Sequence, residues 1–342
     1  MKFFFLSLGL PLLLIATFYS YKKSVIVSEI QKIDEKAYVS FLNSTNAEPC
    51  TYLRYRSTEW LIVGDSHNYA GWDFPSLAEG LGTNKLGSCI FGGFYVETLE
   101  ILLDYWEKYK IHPKNIILGT SPRIFSETTS KTQSFKEHEK ALNRDVDFIS
   151  HKDFLKNLIR GKGFFEPVSK PNENHYNLIT EMDDSKVDKY FETFKNKSYE
   201  NWLKYIQAWQ SSQNVTHVSG KICGWIKKYN INLYLVHIPE SPFLTGMYTP
   251  EILKSYRENV AQFSRCSNQI FGPEQTQLMA RNKFFINRWL DDSFPYASIY
   301  NANPVFDFQV YDLDHMNPVG AKVFTNDFLK KIKLETNIMG SN

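Results

Sequence analysis

Trp60-Leu-Ile-Val-Gly-Asp-Ser66 decides how this chain is read. Four apolar residues run without alternation into a glycine. Such a run has the length of a strand buried on both faces, with a stop signal at its end. Leu86 to Phe91, stopped by Gly92-Gly93, repeats the pattern, and so does Asn115 to Leu118, stopped by Gly119. Between the second and third runs, Val96, Leu99, Leu102, Leu103 and Trp106 recur at helical spacing from Tyr95 to Tyr109, and His112-Pro113 breaks the helix. Strands alternating with helices call for a parallel sheet covered on its faces.

Further along, Asn232 to Ile238 reads as another strand, stopped by Pro239. Helices are expected near Lys221 to Tyr229 and over Pro250 to Arg265, with weaker strands near Gln269-Ile270 and Ser298 to Tyr300. A last helix runs from Pro318 to about Ile332. Asn317 suits its N-cap, and Pro318 is preset by its fixed φ for the first helical position. Residues 126–216 lose this periodicity, are rich in Lys, Glu, Asn and Ser, and read as an insertion, helical around Tyr199 to Trp209.

At the other end, Phe3 to Tyr21 carries no charge, with Lys2 before it and Lys22-Lys23 after it. At about 1.5 Å per residue its length nearly matches a hydrocarbon core of roughly 30 Å. A cleaved signal peptide would have a shorter apolar core and small residues before the cut, and Ala16-Thr-Phe-Tyr-Ser20 has no clear small-x-small pair. An uncleaved single-pass anchor is the favoured reading and a signal peptide the alternative. The expected organisation is therefore an anchor over 1–23, a stalk and entry segment over 24–58, and an α/β domain over 59–335 that contains the insertion.

The 342 residues include 43% apolar and 22% charged residues, which excludes a mostly disordered chain. A net charge of +2, from 39 basic and 37 acidic residues, leaves no electrostatic footprint for nucleic acid. Cys50, Cys89, Cys223 and Cys266 have no CxxC spacing, so no zinc or other metal site is expected. No cofactor is expected either. An oxidising compartment would allow one or two disulfides, with Cys50–Cys89 the first pair to consider.

Two short motifs carry the chemistry. Gly64-Asp65-Ser66 follows the first strand, and Asp312-Leu-Asp-His315 precedes the last helix. In an open α/β sheet the crevice outside the carboxyl ends of the strands is where ligands bind. There Ser66 would meet His315, and Asp312 would turn back to the other imidazole nitrogen. A serine hydroxyl becomes nucleophilic when a histidine takes its proton and a carboxylate holds that histidine. Asp314 is the competing carboxylate, but its adjacency to His315 is expected to point its side chain away.

Gly64-Asp65-Ser66 resembles block I, and Asp312-x-x-His315 resembles block V, of the SGNH/GDSL hydrolase superfamily. Asp314 to Lys322 is similar to the stretch that opens the last helix of those proteins. The resemblance covers the sheet and its helices but not residues 126–216. It implies a flavodoxin-like three-layer sandwich, with Ser66 as nucleophile, His315 as base and Asp312 as its orienter. It also implies an oxyanion hole from the Ser66 amide, Gly92 or Gly93, and a third donor after the third strand. The family has an asparagine at that third place; Ser121 stands there in this chain. The Ser121-Pro-x-x-Phe125 pattern is similar to that of the membrane-anchored SGNH-like proteins of teichoic acid D-alanylation, whose relatives serve polysaccharide O-acetylation.

The function this implies is an extracytoplasmic serine O-acyltransferase on the cell membrane. It would pass an acyl group from a donor, through Ser66, to a cell-surface polysaccharide, beside a multi-pass membrane acyltransferase partner. The alternatives are a carbohydrate esterase of the same fold and an inactive module that binds glycan or docks to the acyltransferase. His67 and Arg123 are candidate substrate-binding residues, against a solvated loop histidine and an exposed surface arginine. Tyr69, Trp72 and Phe74 could stack on sugar or pack in the core. The role of Glu240, after the fourth strand, is left open.

Overall fold

A computed structural model describes residues 2–32, 49–127, 131–143, 151–161, 181, 183–193, 197–285 and 314–339. In chain order its main elements are α1 (Lys2–Lys32), β1 (Trp60–Gly64), α2 (Ser66–Gly71), α3 (Phe74–Gly80), β2 (Leu86–Ile90), α4 (Thr98–Tyr109), β3 (Asn115–Thr120), α5 (Lys131–Leu142), α6 (His151–Arg160), α7 (Asp184–Thr193), α8 (Lys197–Gln207), α9 (Val215–Tyr229), β4 (Asn232–His237), α10 (Pro250–Ala261), β5 (Gln269–Phe271) and α11 (Pro318–Met339).

All five strands pair in parallel, in the order β2-β1-β3-β4-β5. This is a doubly wound order in which the direction of winding reverses between β1 and β3, and folds of this kind bind ligands outside such a switch point. Because side chains alternate across a strand, the sheet feeds two cores. Ile62, Ile117 and Val236 face Trp72, Phe74, Phe324 and Phe328 of α11 and the segment after β1. Leu61, Val63, Ile116, Leu118 and Leu235 face Leu102, Trp106, Ile222 and Ile226 of α4 and α9. Helices on both faces explain why the strands read as continuous apolar runs.

Several boundaries differ from the periodicity. α4 starts at Thr98 rather than Tyr95, since the Val96 amide is held by the Ile124 carbonyl (2.7 Å) in a turn. α9 starts at Val215, six residues before the expected Lys221, and its added turn buries Val215, Val218 and Ser219. α10 ends at Ala261, and α11 runs on to Met339. Asn317 caps α11 as expected, its Oδ1 accepting from the Gly320 amide (3.0 Å). Among its described residues the insertion contains four helices, α5 to α8, rather than one. Its charge-rich sequence hides their short apolar faces. The weak strand expected at residues 298–300 lies outside the described residues.

Two disulfides are present. Cys50–Cys89 ties the entry segment to β2, and Cys223–Cys266 ties α9 to the segment after α10. Closing loops of about forty residues, each restrains the unfolded chain by about 4 kcal/mol in the chain-entropy account. At the N-terminus, α1 continues past the apolar run to Lys32, and Ile26 and Ile30 are buried in the core beneath α11. Among the described residues no helix is long and apolar enough to cross a membrane.

Candidate active site

Asp65 ends the turn after β1 and caps α2, its Oδ1 accepting from the His67 amide (3.1 Å) and from the Asn68 side-chain amide (3.3 Å). Ser66 is therefore the first residue of α2, half-buried at the carboxyl edge of the sheet. The Asn68 amide lies between the ends of β1 and β3. A Cβ on Gly64 or Gly119 would overlap it, so both positions require glycine for space. In sequence these two glycines read as strand stops; in the fold they admit the side chain that seats α2.

His67 is fully buried. Its Nδ1 lies 2.7 Å from Asp65 Oδ2, and its Nε2 lies 3.2 Å from Asp314 Oδ2 and 3.8 Å from Glu240 Oε1. The Asp314 contact is an ion pair without hydrogen-bond alignment. Burial alone would strip the proton from His67. The Asp65 and Asp314 carboxylates outweigh it, and the ring stays protonated well above the ordinary histidine range. Burial likewise opposes ionisation of Asp65, but the charge and hydrogen bond of His67, with help from Arg123 and His315, hold its carboxyl below the usual range.

Asp314 is the centre of this network. Its Oδ2 also accepts from Arg123 Nη1 (2.9 Å), and its Oδ1 lies 3.0 Å from His315 Nδ1. The expectation that Asp314 points away from the site is thus corrected: the His67 and Arg123 cations draw it inward, and the His315 ring meets it there despite their adjacency in sequence. The His315 ring stacks on that of His67, with centroids 5.2 Å apart and planes at 19°. Asp312 lies outside the described residues.

Glu240 sits beneath this cluster. It is completely buried, its Oε1 accepts from the Tyr248 hydroxyl (2.8 Å), and its Oε2 has no hydrogen-bond partner. Burial is the largest influence on its carboxyl and pushes it up to about 7, against the pull of His67 and Tyr248. At the end of the same strand, β4, His237 is also fully buried, but its Nδ1 meets the Tyr256 hydroxyl (3.0 Å) and its Nε2 meets Gln277 Oε1 (3.4 Å). With only neutral partners, burial lowers it to about 4.

The remaining expected residues separate. Ser121, after β3, is buried, and its Oγ has no hydrogen-bond partner. Gly92 is exposed, and its carbonyl accepts from His138 Nε2 (3.0 Å). Gly93 takes a positive φ of 68°, which only glycine adopts without strain. His67 is not a solvated loop residue, because the Asp65 carboxylate draws it inward. Arg123 is not a free surface cation: it is bound to Asp314 and lies 5.9 Å from the Trp202 ring of α8. Trp72 and Phe74 are core residues, with Trp72 packed on Phe324 and Phe328 (4.8 and 5.0 Å). Among the described residues no group of three His, Cys, Asp or Glu could hold a metal ion.

Sequence reasoning placed Glu240 at the site edge with its role open and passed over Tyr248. The usable signal was Glu240 directly after β4, at the same sheet edge as Ser66. The site's arrangement has a nucleophile candidate at a helix start, a histidine with one nitrogen held by a carboxylate, and a buried cation joining the two segments. No family model, curated protein or solved structure matches the chain.

Proposed function

We propose that the protein is an SGNH-type serine acyl-ester enzyme, anchored in the cell membrane with its α/β domain outside the cytoplasm. Its proposed reaction moves an acyl group to a hydroxyl of a cell-surface polysaccharide. The observation that carries this reading is the meeting of two distant segments: the ring of His315, with Nδ1 at Asp314, lies on the ring of the residue that follows Ser66. The motif resemblance, the two disulfides and the uncharged run from Phe3 to Tyr21 support the class and the compartment.

In this mechanism the Ser66 hydroxyl attacks the acyl carbonyl, and His315 takes its proton through Nε2. Asp314 orients the ring through Nδ1 and stabilises the imidazolium, the role the sequence reading gave to Asp312. The tetrahedral intermediate collapses to acyl-Ser66 as His315 protonates the leaving group. An acceptor hydroxyl then reverses these steps, again with His315 as base. Backbone amides of Ser66 and Gly93 and the Ser121 hydroxyl are the proposed oxyanion donors. The unpartnered Ser121 Oγ supports that role, since a buried hydroxyl without a partner is costly unless a ligand uses it.

His67 acts on position rather than on substrate. As a buried cation between Asp65 and Asp314, it couples the cap of the Ser66 helix to the carboxylate that holds His315.

The test is covalent labelling of the full chain in detergent with a fluorophosphonate, compared with Ser66→Ala. Labelling of the wild type on Ser66, lost in the variant, is the expected result. A folded wild type that stays unlabelled would overturn the enzyme reading and favour a binding module. Offering a polysaccharide acceptor to the acylated enzyme then separates transfer from hydrolysis.

A further inference from the structure

Among the described residues of the insertion, the large exposed apolar side chains lie on α6. Its sequence, His151-Lys-Asp-Phe-Leu-Lys-Asn-Leu-Ile-Arg160, places Phe154, Leu155, Leu158 and Ile159 along one side. Phe154 turns inward and is completely buried. Leu155 and Leu158 are exposed, and Ile159 is 83% exposed. Lys152, Lys156 and Arg160 follow one another at intervals of four, so they form a basic row beside Leu155 and Ile159. Soluble surfaces carry scattered apolar residues, but three on adjacent turns, edged by cations, mark a contact site.

The place where α6 packs identifies the contact. Phe154 meets Phe18 and Tyr21 of α1 (ring centroids 5.9 and 6.3 Å), and His151 meets Phe18 (5.7 Å) and the Lys22 amine (3.1 Å). These are the last residues of the uncharged run and the first lysine after it. Just before them, Leu13, Leu14 and Ile15 of α1 are exposed. Aromatic residues followed by lysines are what a membrane helix presents at headgroup level. The helix α6 is thus pinned at the level where the apolar run ends, and like α1 just before that level it leaves large apolar side chains exposed.

Resting on the anchored reading proposed above, we infer that α6 is an interfacial helix. It lays Leu155, Leu158 and Ile159 into the acyl boundary of the membrane that α1 enters, and its basic row faces anionic lipid headgroups. An amphipathic helix with an apolar side and a basic side binds a bilayer in this way. Ile26 and Ile30 already join α1 to the core of the α/β domain, so tilt of that helix in the bilayer would carry the domain with it. A second contact fixes how far the site stands from the membrane.

The test uses the full chain. All four cysteines are in disulfides, so Ile159→Cys offers a single thiol for an environment-sensitive fluorophore, with Lys254→Cys on exposed α10 as the control. Each labelled chain is reconstituted into phosphatidylcholine vesicles with and without phosphatidylglycerol, some carrying brominated acyl chains. Flotation reads the anchor; quenching reads α6. The expected result is flotation of both chains, with the label at 159 blue-shifted and bromine-quenched and the label at 254 unchanged. Lys152→Glu, Lys156→Glu and Arg160→Glu together should still float but lower the docked-to-undocked ratio on anionic vesicles by on the order of a hundredfold, about fivefold per cation. Flotation without quenching at 159 would overturn the inference and leave the anchor standing. Failure to float would overturn both. A blue shift at 159 in detergent, lost on dilution to monomer, would assign the face to a second copy instead.

Discussion

The carboxyl ends of β1 and β4 each present a fully buried histidine, and the two differ in charge. His67, after β1, is protonated well above the ordinary range. His237, at the end of β4, is held neutral down to about 4. Burial opposes the proton in both. The difference lies in the partners: two carboxylates from separate segments for His67, a tyrosine hydroxyl and a glutamine for His237. Low-dielectric surroundings set the stakes, and the neighbours decide the outcome. The β1 end is thereby an ionic centre beside a nucleophile candidate, and the β4 end is a neutral support beneath it.

The largest expected effect separates the two ends by reactivity. His315→Ala should slow fluorophosphonate labelling of Ser66 by on the order of 10⁴, as loss of the base does in serine triads. His237→Gln should leave the labelling rate unchanged. Equal losses in both variants would end the distinction between a reactive and a supporting end.

Stability should separate them next. His67→Ala leaves Asp65 and Asp314 buried without the cation between them, and such a loss costs about 3 to 5 kcal/mol. Urea unfolding would measure it. A loss below that of a neutral hydrogen bond, about 1 kcal/mol, would mean that His67 is not charged in the folded protein.

The pH dependence sharpens the contrast because the signs are opposite. The folded pKa of His237 lies below its unfolded value, so below about 6.5 the unfolded chain takes up a proton that the folded chain refuses until about 4. Stability is lost as pH falls through that window, and His237→Gln should recover about 3 kcal/mol of it at pH 4. Of its surroundings, burial and the charge of His67 oppose the proton and outweigh the Gln277 side chain, whose oxygen favours it; Tyr256 is neutral. His67 behaves in reverse. Its contribution is complete below the unfolded pKa and is lost as pH rises through the raised folded one. Glu240, raised to about 7, adds a loss of stability as pH climbs from about 4.5 to 7, which Glu240→Gln should remove.

The smallest effect probes the strand between the two ends. Gly119→Ala on β3 would press a methyl group into the Asn68 amide and should cost about 1 to 3 kcal/mol by overpacking. It should also reduce labelling by shifting α2 under Ser66. A stable, fully reactive Gly119→Ala variant would show that Asn68 does not seat the nucleophile.

Much of the fold was legible in short stretches. Trp60 to Gly64 and Asn232 to His237 announce themselves as strands because both faces of the sheet are covered, leaving no polar alternation to confuse the pattern. The insertion was less legible, since α5 to α8 bury only a few apolar residues each and their exposed faces dominate the composition. In the site, Ser66 and His315 could be named from motif and context. The inward turn of Asp314, the burial of His67 and the part played by Glu240 could not, because each depends on groups about 170 to 250 positions away in the chain.

The chain order of apolar runs, breaks and caps by itself determined an α/β body with parallel strands and placed Ser66 at the end of the first. Such signals are local: they are written in side-chain periodicity and in residues that stop a strand or start a helix. Only the tertiary structure decided which carboxylate holds His315, which histidine carries a charge, and that α6 shares its level with the end of the apolar run. Those outcomes depend on contacts between segments remote in sequence: His67 to Asp314 at 3.2 Å, Arg123 to Asp314 at 2.9 Å, and Phe18 to Phe154 at 5.9 Å between ring centroids. Interactions of that range are set by packing, which no local pattern encodes.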